Sequence, residues 1–223
     1  MIVDIDVRLA CDISQPVDLI LQVRAPSFAD QNVLSETFDV GKPEQLADIA
    51  AEAGLGSRTL LRTSEYFPCS YAAKVEIDRP SLDVSALDKV PPHLLSGDVV
   101  RYLMPSRYCP SDEFQSFVAA EFGHLDAGHR VAAMRDWIFE RFAYVPGSSN
   151  AQTTAIDTFV QRQGVCRDYA HVLITLARAS AMPVASQIVR IGVGMDAAEV
   201  AFLSSFGPIS LIDKSVNVTI AEA

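Results

Sequence analysis

Residues 164–171 read Gly-Val-Cys-Arg-Asp-Tyr-Ala-His, which places a cysteine between a glycine and a long apolar run that predicts a buried helix. A thiol at the start of a helix lies near unpaired backbone N–H groups and the positive end of the helix dipole. Both favour the thiolate over the thiol. We therefore predict that Cys166 is a nucleophile, and a buried structural cysteine of the helix is the alternative. A cysteine nucleophile ordinarily works with a histidine base and a carboxylate that orients this base.

The residues nearest to Cys166 in sequence do not supply this base. His171 lies five residues further on, about 140° around a helix and about 7.5 Å along it, so we predict a structural place for it, hydrogen-bonded in the core or to a neighbouring loop. Asp168 is predicted to accept first-turn N–H groups, while Arg167 either adds positive potential near the thiol or points to solvent. We place the other candidate bases and orienters in surface loops, turns or a linker: His93, His124, His129, Asp196 and Asp213.

Composition restricts the class of partner. The chain has 223 residues, of which 49% are hydrophobic, so it is expected to be globular and to bury a core of its own. Its formal charge of −10 argues against nucleic acid and against anionic membrane as partners. A small molecule or a peptide is the expected class of ligand, and the family resemblance described below implies an amide of a peptide or protein as substrate.

The cysteines and the first residues predict the compartment. The cysteines form no Cys-x-x-Cys pair, so we predict no metal site, no cofactor and no disulfide framework; they are Cys11, Cys69, Cys109 and Cys166. The first residues lack the basic segment and apolar run of a signal peptide. No stretch of 18 uninterrupted apolar residues is present, so we predict no membrane span. We expect a bacterial cytoplasmic protein with reduced thiols.

The hydrophobic period changes along the chain. Apolar residues alternate with polar ones over residues 3–11, 17–23 and 71–77, which predicts half-buried strands. A proline-containing segment, residues 79–110, follows. Four helices are then predicted at about residues 111–123, 127–142, 154–164 and 166–180, the first capped by Ser111 and the third by Thr153 or Thr154. Further strands are predicted near residues 188–193 and 216–220.

Several separate motifs follow residue 142. They are Phe142, Tyr144, Pro146-Gly147-Ser148, Thr154-Ala155, the stretch 164–171, Arg178 and Pro183. In this order they resemble the bacterial transglutaminase-like superfamily, a papain-like group that includes transglutaminases, peptide N-glycanases and cysteine hydrolases. The β-rich first third is also similar to the domain that precedes this core in many bacterial members.

The resemblance implies an α+β fold with two domains. Residues 1–95 would form a β-rich N-terminal domain, and residues 96–223 a papain-related core of helices and a shortened sheet. It also implies that Cys166 attacks an amide carbonyl to give an acyl-enzyme, which water or an amine then resolves. Backbone N–H groups at the helix start, including that of Cys166, would form part of an oxyanion hole.

The chain departs from the family after the helix. Members of the family place a histidine-bearing strand and an aspartate-bearing strand there, whereas the 40 residues after Pro183 contain no histidine. Residues 190–200 resemble the stretch that follows the family's aspartate. Our hypothesis is that a block of several tens of residues, holding the base and its orienter, is absent between Val184 and Ile188.

Three functions are compatible with this sequence. The first is a transglutaminase-like cysteine protease or amide hydrolase that uses Cys166 and has an incomplete triad. Its activity would be weak or lost, because a general base contributes typically 10²- to 10⁴-fold. The second is a non-catalytic peptide- or protein-binding module with the same fold. The third is an assembly role in which exposed strand edges pair two chains into a homodimer.

Overall fold

The protein has a mixed helix and strand architecture, which confirms the predicted α+β class. The computed structural model describes residues 1–51, 56–78, 83–150, 152–183 and 209–221. The chain divides into two compact units, the first made of residues 1–80 and 198–223, the second of residues 81–197. Within the described residues, no helix is both long enough and apolar enough to cross a bilayer.

The first unit is an antiparallel sheet of five strands. They are β1 (Ile2–Leu21), β2 (Gln31–Asp39), β3 (Gln45–Ala50), β4 (Ser57–Ile77) and β7 (Ile209–Ala221). The strand order is β2-β4-β1-β7, and β3 pairs with the first part of β4 while β2 pairs with its second part. Alternate residues of β1 and β4 are buried, as the period of two requires.

Strand β1 joins two segments that the sequence pattern separates. Its buried positions include Ile13 and then Val17, and the register with β4 shifts between these two residues. The three exposed residues between them include Pro16, which has no N–H to donate to a ladder and is tolerated at such an irregularity. The polar break in the pattern is therefore a bulge inside one strand, not a turn between two.

Strand β7 lies beside β1. Its residues 209–221 pair antiparallel with residues 2–13 of β1, with Val218 opposite Ile5. The sequence analysis assigned this part of the chain to the sheet of the second domain, whereas in the structure its backbone extends the sheet of the first unit. The pairing joins residues about two hundred positions apart, which no local pattern reports.

The second unit is built around one central helix. Its elements are α1 (Gly97–Val100), α2 (Gln115–Phe122), α3 (Ala127–Arg141), β5 (Ala143–Tyr144), α4 (Ala155–Gln161), β6 (Gln163–Gly164) and α5 (Cys166–Ala179). Helix α5 packs against α2, α3 and α4, and its residues Val172 and Leu176 are fully buried. The apolar core of the unit therefore fixes the helix that begins at Cys166.

Caps explain where two of these helices begin. Thr154 caps α4, since its hydroxyl accepts from the Asp157 amide while the Asp157 carboxylate accepts from the Thr154 amide. Ser111 behaves differently from the expectation. It lies in a 3-10 turn, Ser111–Phe114, that begins without a side-chain cap, and it is buried.

An aromatic cluster packs in the core of the second unit, next to α5. The Trp137 indole stacks on Phe159 with ring centroids 5.6 Å apart and contacts Phe142 edge to face at 5.9 Å. The Arg162 guanidinium lies over these rings, 4.1 Å from the centroid of Phe159 and 4.6 Å from that of Trp137. Arg162 has a left-handed backbone with φ of 55°, which ends α4 and directs the chain into β6.

Candidate active site

Cys166 is the first residue of α5. The preceding strand β6 pairs in parallel with β5, so that Tyr144 lies opposite Gly164. Val165 then has an extended backbone and forms the N-cap position, after which the helix begins. Cys166 is partly exposed, whereas Cys11, Cys69 and Cys109 are buried. The thiol that the sequence analysis selected is therefore the most accessible of the four.

The Asp168 carboxylate fixes this helix start. Its Oδ2 accepts a hydrogen bond of 2.8 Å from the Val165 amide, and the side chain is only 1% exposed. The Val165 carbonyl in turn accepts from the amides of Asp168 and Tyr169, at 2.9 and 3.1 Å. Asp168 thus satisfies an N–H group beside the helix start, as predicted, and holds the turn that carries Cys166.

Arg167 connects the helix start to a loop. Its guanidinium donates to Asp168 Oδ1 at 3.0 Å, to Ser149 Oγ at 3.3 Å and to the Asn150 carbonyl at 2.9 Å. The structure shows neither of the two arrangements predicted for Arg167: its charge is not free to act near the thiol, and its side chain does not simply point to solvent. The positive charge is paired with a buried carboxylate, and it ties residues 149–150 to α5.

Gly164 is required by the close packing of this turn. A β-carbon at residue 164 would lie 2.8 Å from the Cβ and 3.1 Å from the Oδ2 of Asp168, and 3.1 Å from Thr158 Cγ2. No larger residue fits without displacing the carboxylate. The glycine before the cysteine is therefore explained by the approach of Asp168.

Two amides at the helix start have no partner within the part of the chain that the structure describes. Among the described residues, the backbone N–H groups of Cys166 and Arg167 make no hydrogen bond, whereas that of Val165 is used by Asp168. The first N–H groups of a helix have no intrahelical acceptor. They are available to an oxygen of a bound molecule.

His171 packs against a loop of the second unit. Its ring stacks on Tyr108 with centroids 5.4 Å apart. Burial, with a further contribution from Arg167, lowers the pKa of His171 to about 4, against which Asp168 acts weakly. The hydrogen bond expected for this ring is not formed at Nδ1, which is buried and has no partner among the described residues. The contact that the structure shows for the His171 ring is the stack on Tyr108.

The remaining predicted residues lie away from this turn or outside the description. His93, His124 and His129 are exposed, in agreement with their predicted surface or linker positions. His129, however, was expected in the loop between two helices and lies instead in the first turn of α3. Asp213 was expected in a turn, but it lies within β7, opposite Ala10. Asp196, the predicted strand 188–193, the interval from Val184 to Ile188 and the stretch 190–200 lie outside the described residues.

In the part of the chain that the structure describes, no group of three or more His, Cys, Asp or Glu side chains could hold a metal ion. The groups that this helix start offers for chemistry are the partly exposed Cys166 and the backbone amides of Cys166 and Arg167.

Comparison with known proteins identifies the class to which this second unit belongs. Residues 117–196 match the family model of the transglutaminase-like superfamily. This part of the chain is therefore a transglutaminase-like domain, which confirms the resemblance inferred from the motifs.

Two known proteins are similar to the chain. The uncharacterized protein ML0607 of Mycobacterium leprae is 28% identical over 85 residues, a match that covers 36% of this chain and 29% of that protein. A solved structure, a putative cysteine protease from Cytophaga hutchinsonii, is 26% identical with a TM-score of 0.81, covering 100% of this chain and 91% of that one. The papain-related α+β fold implied by the resemblance is thus shown.

Sequence reasoning missed two features of this site. One is the bond network that joins Arg167 to Ser149 and Asn150, because it connects residues that are distant in sequence. The other is the edge-to-face contact between the rings of Tyr144 and Tyr169. The position of Tyr169, three residues after Cys166 on a helix, is the signal that could have revealed it.

Proposed function

We propose that the protein is a cysteine amide hydrolase or protease in which Cys166 is the nucleophile, with acyl transfer to an amine as a variant. The observation that carries this proposal is the position of a partly exposed thiol on the first residue of α5, within a transglutaminase-like domain. The proposed substrate is an amide of a peptide or protein.

In the proposed reaction the Cys166 thiolate adds to the amide carbonyl, and a tetrahedral oxyanion forms. The free amides of Cys166 and Arg167 are suited to donate to this oxyanion. The C–N bond then breaks, the amine leaves with a proton, and a thioester remains on Sγ. Water or a second amine attacks the thioester and regenerates the thiol.

The proton transfers are the weak part of this mechanism. The sequence contains four histidines, and His171, the nearest in sequence to Cys166, is stacked on Tyr108. Its lowered pKa, about 4, keeps the ring neutral at pH 7. We therefore expect acylation by activated esters, whose leaving group needs no proton, and turnover of amides 10²- to 10⁴-fold below that of an enzyme with a positioned base.

A burst experiment tests the proposal. The protein is mixed with p-nitrophenyl acetate, and release of p-nitrophenolate is followed together with the mass of the intact chain. We expect a burst of one equivalent and one acetyl group on Cys166. Cys166→Ala should remove both. Cys11→Ala, which changes a buried cysteine of the first unit, should leave both unchanged.

A non-catalytic binding module is the second candidate. It is favoured by one observation, the lack of any histidine after residue 171. The two candidates differ in the reactivity of Cys166 toward iodoacetamide. An alkylation rate that follows the pH profile of N-acetylcysteine, with no acetyl burst, would contradict the enzyme and support the binding module.

A further inference from the structure

Two tyrosine rings lie beside the helix start that carries Cys166. Tyr169 is three residues after Cys166 on α5 and so shares its face of the helix. Tyr144 reaches the same place from β5, because it pairs with Gly164, two residues before Cys166. The two rings contact each other edge to face, with centroids 6.4 Å apart. We refer to Tyr144 and Tyr169 together as the aromatic shelf.

One ring of the aromatic shelf, Tyr169, packs on a buried ring, and the other ring, Tyr144, is exposed. Tyr169 packs edge to face on the buried Phe142, at a centroid distance of 5.7 Å. Tyr144 is 55% exposed, so another molecule can contact it. Side chains on a helix lean toward its N-terminus, which directs Tyr169 back over the turn of Cys166. An exposed ring beside a fixed ring is a ready-made contact surface.

The charge next to the shelf is neutralised. Arg167 and Asp168 are the charged residues of the first turn of α5, and they form an ion pair of 3.0 Å. The Nη2 nitrogen of Arg167 that pairs with Asp168 also donates to Ser149 and Asn150. A charged ligand group beside Cys166 therefore finds no free counter-charge on this turn, whereas a flat apolar group finds two aromatic rings.

We propose that the aromatic shelf is a specificity subsite, which takes a flat, uncharged, aromatic side chain of the substrate next to the amide that Cys166 attacks. The identification of the ligand as a substrate side chain rests on the function proposed above. The subsite itself depends only on the position of the rings beside the thiol. Aromatic pairs contribute about 0.5–1.5 kcal/mol beyond their buried area. This gain corresponds to a preference on the order of fivefold over a ligand that lacks the ring.

Alkylation measures this preference without any acyl chemistry. In each reaction Cys166 Sγ bonds to the reagent's methylene carbon, the C–I bond breaks, iodide leaves and the thiol proton passes to solvent. The rate constants for N-benzyliodoacetamide and iodoacetamide are measured on the full chain. Their ratio is divided by the same ratio for N-acetylcysteine. We expect a corrected ratio of about 5, in favour of the benzyl reagent.

Variants assign the preference to the shelf. Tyr144→Ala should reduce the corrected ratio to about 1, and because both reagents are measured on the same variant, any change in the reactivity of the thiol itself cancels in this ratio. Tyr144→Phe should retain the ratio, because the ring and not the hydroxyl makes the contact. Tyr66→Ala, a change at a tyrosine of the first unit with a matching exposure of 56%, is the control and should behave as the unchanged protein.

The outcomes separate this inference from the proposed function. A corrected ratio near 1 in the unchanged protein, or an elevated ratio that persists in Tyr144→Ala, overturns the subsite. If no acetyl burst is seen, the proposed enzymatic function is contradicted. An elevated corrected ratio that Tyr144→Ala abolishes would then still show a site for an aromatic ligand, now in a binding module.

Discussion

The Asp168 carboxylate accepts a hydrogen bond of 2.8 Å from the Val165 amide and so closes the turn on which Cys166 lies. The same carboxylate is paired with Arg167 at 3.0 Å. A single buried carboxylate therefore stabilises the start of α5 and also holds Arg167, which binds residues 149–150.

Asp168→Ala should destabilise the second unit by about 2–3 kcal/mol, because it leaves the Val165 N–H and the Arg167 charge without their partner. We place the value below that of a fully buried pair, since Arg167 is 27% exposed. Urea unfolding followed by tryptophan fluorescence measures the change. Asp136→Ala removes a surface partner of Arg135 in the same unit and should cost less than about 0.5 kcal/mol. Equal effects of the two substitutions would contradict the assigned role of Asp168.

Gly164→Ala should cost about 1–3 kcal/mol and slow the alkylation of Cys166, because the new methyl group meets Asp168 at 2.8 Å. Gly97→Ala is the matched control, since a β-carbon at residue 97 has no heavy atom within 4 Å. Thermal unfolding and the iodoacetamide rate are measured on both variants. If the Gly164 variant retained full stability, the close approach of Asp168 would not be needed for the fold.

The stability of the second unit should fall as the pH is lowered from about 6.5 to 4, because of His171. The folded-state pKa of this ring is about 4, below the value of about 6.5 in an unfolded chain. In this interval the unfolded chain binds a proton that the folded protein does not, so acid favours unfolding. The contribution of this ring reaches up to about 3 kcal/mol at pH 4.

His171→Phe isolates this effect, because a phenyl ring can keep the stack on Tyr108 and does not titrate. Urea unfolding is measured for both proteins at pH 7, 5.5 and 4.5. The carboxylates contribute equally to the two proteins, so the difference in unfolding free energy reports the histidine alone. It should shift in favour of the variant as the pH falls. A difference that stays constant with pH would mean that the ring is protonated in the folded state.

Tyr71→Phe should destabilise the first unit by about 1–2 kcal/mol. The Tyr71 hydroxyl accepts from the Ala25 amide at 2.9 Å and donates to Glu36 at 3.2 Å, while the side chain is 1% exposed. Loss of the hydroxyl leaves the Ala25 N–H unsatisfied. Far-ultraviolet circular dichroism against urea measures the loss, and Tyr66→Phe at an exposed tyrosine should be neutral. A neutral Tyr71→Phe would show that water replaces the hydroxyl.

Local patterns were sufficient for the starts of α4 and α5 but not for α1 or for the start of α2, where Ser111 lies in a 3-10 turn. The limits of α5 follow from the glycine before Cys166 and the apolar run after it, and the start of α4 follows from the Thr154 capping box. These signals lie within a few residues of the boundaries that they define. The same locality explains why the position of the thiol could be read from sequence.

Contacts between distant parts of the chain were not predictable in this way. The stack of Tyr108 on His171 and the bonds from Arg167 to the loop at Ser149 depend on how separate elements pack. The pairing of β7 with β1 is of the same kind. Alternation predicts that a strand exists but does not select its neighbour.

The position of Trp137 gives the protein a built-in probe of its second unit. This is the single tryptophan of the chain, and it is enclosed by Phe117, Phe142, Phe159 and the guanidinium of Arg162. The first unit contains none, so indole emission records the melting of residues 81–197 only, whereas far-ultraviolet circular dichroism records the helices and strands of both units. Coincident transitions would show that the two units unfold as one cooperative system, and separate midpoints that each has an autonomous stability.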